Sequence, residues 1–273
     1  TQDIFYASPA AVPLPMMDRA AGVYMWDEDG NEYLDASSGP MVSALGHGNI
    51  RVIDAMADQA RKLDYAYSRV ARNRPNLELA ARLSALAGPG FERVSFSSGG
   101  SEAIDYTLKF LRQHAVATGQ VSRRHVITLN PSYHGATMGG LAISGNDGKA
   151  SFADGFAVSP QTVPVPDSYR RAAGQTAESQ AADCARALEQ KIIELGPENV
   201  LAFMIEPVGG ISTGARVPPA RYFRDIRQIC DRHGVRLVFD EILCGAGRSG
   251  KYITAHHWPD ALPDIIVLAK GLA

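Results

Sequence analysis

No apolar run in the 273-residue sequence approaches the roughly 20 residues needed to cross a bilayer. The stretch from Thr1 to Met17 has no basic region followed by an apolar one, so no secretory leader is expected, and the missing initiator Met suggests a trimmed start. Cysteine is scarce: Cys184, Cys230 and Cys244 are three in number and widely spaced. That suits a reducing cytoplasm and not a disulfide framework. There is no surplus of positive charge. Lys and Arg number 27 against 29 Asp and Glu, a formal net charge of −2, which argues against nucleic acid or a membrane surface as the main partner. The sequence has no Gly-Lys-Ser/Thr, which excludes a nucleotide P-loop. Internal repeats and low-complexity tracts are also missing.

What remains is an ordinary globular composition, 45% hydrophobic and 21% charged, long enough for one large α/β domain or two smaller ones. Residues 1 to about 55 read as a separate N-terminal segment. Within it, Gly22 to Asp27 and Glu32 to Asp35 form two short strands around the turn Asp29-Gly30-Asn31, followed by the irregular Ser37 to Val42. Helical spacing follows over Ile50 to Leu63 and over Leu77 to Leu86, the latter stopped by Gly88-Pro89-Gly90. From Phe91 strands and helices alternate. The strands are Val94–Phe96, His125–Leu129, Val200–Ile205, Arg236–Phe239 and Asp264–Ala269. The helices are Ala103 to His114, Ala181 to Leu195 and Tyr222 to His233, with a long irregular excursion over 145–180. Apolar strands separated by helices indicate a mostly parallel sheet covered on both faces.

In such sheets ligands bind beyond the carboxyl ends of the strands. Those ends carry Ser98-Gly99-Gly100-Ser101, Tyr133-His134-Gly135, Glu206-Pro207, Asp240-Glu241 and Lys270. Gly99 and Gly100 let the backbone approach a ligand, and the helix that follows offers free N–H groups to an anion such as a phosphate. Ser101 is either a further donor or simply a helix cap. Asp240 ends an apolar strand, and a buried carboxylate wants a cation or strong donors; a capping or turn role fits as well, and Glu206 has the same two readings. Tyr133 and His134 stack on a planar ring or pack on the surface. Lys270 follows a buried strand. It either reaches solvent or, if desolvated, serves as a Schiff-base amine.

Two further patterns are weak. Gly245-Ala246-Gly247-Arg248-Ser249-Gly250 formally matches G-x-G-x-x-G, but Lys251–Thr254 reads as extended and no carboxylate ends a strand about 20 residues on. His256, His257 and Asp260 lack the spacing of a metal site.

Together these segments resemble the class III, pyridoxal-phosphate-dependent aminotransferases of fold type I. Asp240-Glu241-Ile242-Leu243-Cys244-Gly245-Ala246-Gly247-Arg248-Ser249-Gly250 is similar to the family's D-E-V-x-x-G-x-G-R-T-G. Pro263-Asp264 through Lys270-Gly271-Leu272 is similar to P-D-I-x-x-x-A-K-G-L, and Gly99 to Ala103 to S-G-S-E-A. Ser132 to Thr137, Glu206-Pro207-Val208, Tyr33-Leu34-Asp35 and Leu45-Gly46-His47 also fit, in the family's order. The resemblance implies that Lys270 holds pyridoxal 5'-phosphate as a Schiff base and then moves the substrate's Cα proton. It implies that Asp240 pairs with the pyridinium nitrogen and that Gly100 and Ser101 bind the phosphate. It places Tyr133 and Ile242 on opposite faces of the ring, with His134 among the cofactor-binding residues. It puts Glu206 near the cofactor's phenolic side and Met41 on the pocket wall.

The resemblance further implies that residues 1–55 belong to a small domain and the substrate-side wall. Residues 56–273 would form the large cofactor-binding domain, which the family continues past the lysine into a C-terminal small domain. The sequence departs from the ornithine and 4-aminobutyrate branch at Ile211, where a second glutamate stands, and at Leu243, often glutamine. Both departures point towards the ω-amine/pyruvate type. The activity implied is amino transfer from an amine or ω-amino acid to a 2-oxo acid such as pyruvate, in a cytoplasmic homodimer with its sites at the interface. Rival readings are an aminomutase or racemase of the same class, a non-catalytic binding module, and, resting on Gly245–Gly250, a nicotinamide-dependent oxidoreductase.

Overall fold

The computed structural model describes residues 14–145 and 160–272. The chain divides into two compact units, the first running to Ala71 and the second starting at Arg72.

The first unit holds an antiparallel sheet of β1 (Met17–Ala21), β2 (Tyr24–Asp27) and β3 (Glu32–Leu34), in that order. Its tight turn is built on Asp27, whose carboxylate accepts from the Asn31 backbone N–H at 2.8 Å, Asn31 Nδ2 at 3.0 Å and the Tyr33 hydroxyl at 2.8 Å. After β3, Asp35 staples the irregular stretch: Oδ1 accepts from Ser38 N–H and Oδ2 lies 2.8 Å from His47 Nε2. Between them sits a kinked turn, α1 (Ser38–Met41), with Ser38, Gly39 and Met41 all at positive φ. Helix α2 (Ile50–Lys62) matches its expected span and runs unbroken through residue 55.

The second unit is a five-stranded, wholly parallel sheet. Its strands are β4 (His125–Asn130), β5 (Gln161–Pro164), β6 (Val200–Ile205), β7 (Arg236–Asp240) and β8 (Ile265–Val267), in spatial order β5-β4-β6-β7-β8. Its helices are α3 (Arg74–Ala87), α4 (Gly100–Ala117), α5 (Met138–Ile143), α6 (Ala177–Leu195) and α7 (Ala220–His233). Side chains alternate across a strand, so each central strand feeds two cores. Phe203, Ile205, Leu237 and Phe239 pack with Leu188 and Ile192 of α6 and Phe223 and Ile226 of α7. Ala202, Met204 and Val238 pack on the other side with Ile104 and Leu111 of α4. Helices therefore cover both faces, as the apolar runs imply.

Helix ends are set locally. Thr176 and Ser179 form a capping box at the start of α6. Helix α7 stops at Gly234, which takes the left-handed conformation, with Arg232 and His233 in its last turn.

The structure differs from the sequence reading in four places. Val94–Phe96 is not a strand: it pairs with no ladder among the described residues, and Phe96 is exposed. The excursion expected over 145–180 contains the edge strand β5 and the start of α6, while residues 146–159 lie outside the described residues. Lys251–Thr254 is bent, not extended, and leads into a 3-10 turn at Thr254–His257. The final strand is only Ile265–Val267, so Lys270 stands in a 3-10 turn beyond it.

Candidate active site

Because the sheet is parallel, the carboxyl ends of its strands share one edge. Register fixes this: Asn130 lies opposite Pro164, Ile205 opposite Phe239, and Asp240 opposite Val267. Glu206, Asp240 and Lys270 thus leave the sheet on one rim. Asp240 shares the α4 side of β7 with Val238, two residues earlier, by alternation.

Asp240 is 4% exposed. Its Oδ2 lies 2.8 Å from Nδ1 of His134, and Oδ1 accepts from the Ile242 N–H at 3.1 Å. His134 is itself buried at 1% exposure, with its backbone N–H donating to Ser144 Oγ at 2.9 Å. Its Nε2 is buried and has no hydrogen-bond partner among the described residues. Ser144 in turn donates to the Gly140 carbonyl at 2.7 Å, so the turn after β4 is anchored to α5.

Glu206 joins two loops. Its Oε2 accepts from Tyr133 N–H at 3.0 Å and its Oε1 from Gly210 N–H at 3.1 Å. Burial raises the Glu206 carboxyl above its ordinary value and the Asp240 charge adds to this, against the opposing pull of the two backbone N–H groups and of any charge on His134.

The start of α4 meets this rim closely. A Cβ on Gly100 would stand 3.1 Å from the Ile242 side chain and 3.4 Å from Ala269, the residue before Lys270. A glycine lets the helix N-terminus, Ile242 and the lysine turn approach this closely without displacing the Ile242 side chain. Ser101 Oγ accepts from the Ala136 N–H at 3.0 Å. Gly135 lies at φ +136°, and a Cβ there would come within 2.9 Å of Ser101 Oγ. Lys270 takes φ +52°, a left-handed conformation that non-glycine residues seldom adopt and that tends to mark functional sites.

Gly100, Ser101, Tyr133, His134, Glu206, Asp240, Ile242 and Lys270 therefore all belong to the carboxyl rim of the second unit, tied through the contacts above. Met41 lies in the first unit, half-buried at φ +60°. Sequence reasoning placed Gly135 and Glu241 at the strand ends without a role and missed Ser144. Gly135 backs Ser101, Ser144 holds His134, and Glu241 is fully buried with its carboxylate accepting from Thr254 N–H at 2.6 Å and Ala255 N–H at 2.7 Å. Burial raises the Glu241 carboxyl despite those two donors. A glycine just after an aromatic turn was the one available signal for Gly135; nothing local marks Ser144.

The Aminotransferase class-III family profile matches residues 5–273. The chain belongs to this family. Among curated relatives, the putrescine–pyruvate aminotransferase of Pseudomonas aeruginosa is 34% identical over 260 residues, which cover 94% of this chain and 56% of that protein. The diaminobutyrate–2-oxoglutarate transaminase of Halomonas elongata is 34% identical, covering 92% and 54%. An amine transaminase structure from an uncultivated Pseudomonas species, in a PLP-bound form, superposes with a TM-score of 0.90 at 32% identity, covering 99% of this chain and 62% of that one. The chain thus spans little more than half the length of the curated relatives it matches. Its α/β fold with a mostly parallel sheet is that of the fold type I transaminases.

The raised Glu206 carboxyl has a consequence for stability. A carboxyl raised in the folded state contributes stability that is complete at low pH and is lost as pH climbs through the raised value. Glu206→Gln removes that dependence. Denaturant unfolding from about pH 4 upward should show the wild type losing stability relative to the variant as pH rises. A stability difference that does not change with pH would contradict the assignment.

Proposed function

We propose that the whole protein transfers an amino group from an amine or ω-amino acid to a 2-oxo acid such as pyruvate, using pyridoxal 5'-phosphate held at the carboxyl rim. One observation carries the reading: the glycine-started helix α4 is backed against Ile242 and Ala269 on the same rim as the buried Asp240–His134 pair. The residues present fit the cofactor. The α4 N-terminus and Ser101 suit a phosphate, since free N–H groups and the helix dipole favour an anion. A carboxylate withdrawn from water and held by two donors suits a protonated ring nitrogen. Ile242 offers an apolar surface to one ring face and Tyr133, 39% exposed, an aromatic surface to the other.

When bound, pyridoxal phosphate supplies the electron sink that lets the donor's Cα–H bond break. The chain supplies the rest. Lys270 Nζ would be the amine that holds the cofactor and, when free, the base and acid that moves the donor's Cα proton. Asp240 would face the ring nitrogen and favour its protonated form. Glu206, with both oxygens engaged by backbone N–H groups, holds the loops that carry Tyr133 and Gly210 in place. The donor and acceptor classes rest on relatives named for putrescine–pyruvate and taurine–pyruvate transfer, and on Ile211 and Leu243 in place of glutamate and glutamine.

We also read the protein as a homodimer of the cytoplasm. Exposed Tyr106 and Phe110 on one face of α4 favour a partner surface, and three buried, free cysteines favour a reducing compartment.

The full-length protein should be yellow with pyridoxal phosphate. Lys270→Ala should lose that colour, and amines added one at a time should bleach the wild type in the order of donor preference. A wild type that stays colourless with added cofactor would refute the reading. Light scattering should give twice the chain mass; a monomeric, active protein would refute the dimer.

A further inference from the structure

The loop from Glu206 to Pro219, between β6 and α7, is braced internally. The Gly209 N–H donates to the Arg216 carbonyl at 2.9 Å. The Gly210 carbonyl accepts from the Thr213 N–H and the Thr213 hydroxyl, both at 3.2 Å. A Cβ on Gly209 would overlap Thr213 Oγ1, so the closure suits a glycine there. Gly214 and Ala215 turn the chain back at φ +68° and +55°. Whatever holds one end of this braced loop therefore bears on the other.

One end is held by charge. Arg216 lies 3.0 Å from Asp167 Oδ2, with the two side chains 22% and 11% exposed. Asp167 follows the edge strand β5 and is itself anchored. Its N–H donates to Gln180 Oε1 of α6 at 2.9 Å, and its Oδ1 accepts from the Tyr169 and Arg170 N–H groups, both at 3.0 Å. Burial pushes the Asp167 carboxyl up, but those two N–H groups and the Arg216 charge outweigh it and hold the carboxyl below its ordinary value. It is therefore ionised at neutral pH. Because β4 lies between β5 and β6, the ion pair carries the loop across the carboxyl end of β4. Beneath the loop is a cavity of about 10 Å³ walled by Leu129, Pro131, Val165 and Pro218, with Glu206 and Arg216 on its lining. That is room for no more than one water, so the loop is closely seated.

The other end reaches the candidate site. The Gly210 N–H donates to Glu206 Oε1 at 3.1 Å, and Glu206 Oε2 accepts from the Tyr133 N–H at 3.0 Å. We propose that the Arg216–Asp167 ion pair is a clasp that sets, through the braced loop, the positions of Glu206 and Tyr133. Arg216 and Asp167 are thus positioning residues for the rim. What Tyr133 faces rests on the transaminase reading above; the clasp itself rests on the contacts within the chain.

The test uses the full-length protein as wild type, Arg216→Gln, Asp167→Asn and the double variant. Asp167→Asn keeps an oxygen for the Tyr169 and Arg170 N–H groups and removes the charge. Without cofactor, amide hydrogen exchange read by mass spectrometry should quicken by about threefold to tenfold over residues 207–217 and 132–136 in either single variant, with no further gain in the double. Residues 220–233 of α7 should exchange as in the wild type, whereas a pair that merely adds global stability would quicken them too. With pyridoxal phosphate added, its affinity should fall by a similar factor in each single variant and no further in the double. Unchanged exchange over 132–136 in both single variants, additive gains in the double, or equal quickening over 220–233 overturns the clasp. Equal affinity in all four proteins overturns the positioning role. A wild type that binds no pyridoxal phosphate overturns the function reading and leaves the exchange pattern to decide the clasp.

Discussion

A carboxylate taken almost completely out of water costs several kcal/mol unless strong donors surround it. Asp240 bears that cost at the end of β7, and much of the second unit's rim is arranged around it. His134 and the Ile242 N–H occupy its two oxygens. His134 in turn depends on Ser144, and Ser144 on α5. Tyr133, the neighbour of His134, is held by Glu206, which also holds Gly210. On the far side Glu241 pins Thr254 and Ala255, fixing the chain that leaves β7.

The same rim shows how glycine and backbone conformation replace side-chain chemistry. Gly100 brings the N-terminus of α4 against Ile242 and Ala269, and Gly135 makes room for Ser101. Lys270 follows directly, in a left-handed turn instead of at the end of a strand. The start of α4, the Ile242 side chain and the Lys270 turn are therefore set by close backbone approach between segments that lie up to about 170 residues apart in sequence. Such contacts depend on the parallel sheet. Its register brings the strand ends to one edge before any side chain is considered.

Much of this was legible from the residues. Val200–Ile205 and Leu237–Phe239 are apolar throughout because they are buried on both faces, which is the mark of a parallel sheet. The rim followed from the rule that ligands gather at carboxyl ends. Edge strand β5 was not legible: Gln161-Thr162-Val163-Pro164 is short and carries a proline that only an edge tolerates. Val94–Phe96 had a strand's pattern without a ladder to join. Helix α4 begins at Gly100, earlier than its apolar spacing suggests, since tertiary contact and not propensity sets that end. The pairing of His134 with Asp240 spans 106 residues, and no local spacing encodes it.

The central claim is that this rim holds a cofactor covalently at Lys270. Borohydride reduction of the full-length protein with pyridoxal phosphate, followed by peptide mapping, tests it directly. The account predicts a single phosphopyridoxyl group, on Lys270. Label on another lysine, or none on Lys270 in a protein that binds the cofactor, would contradict it.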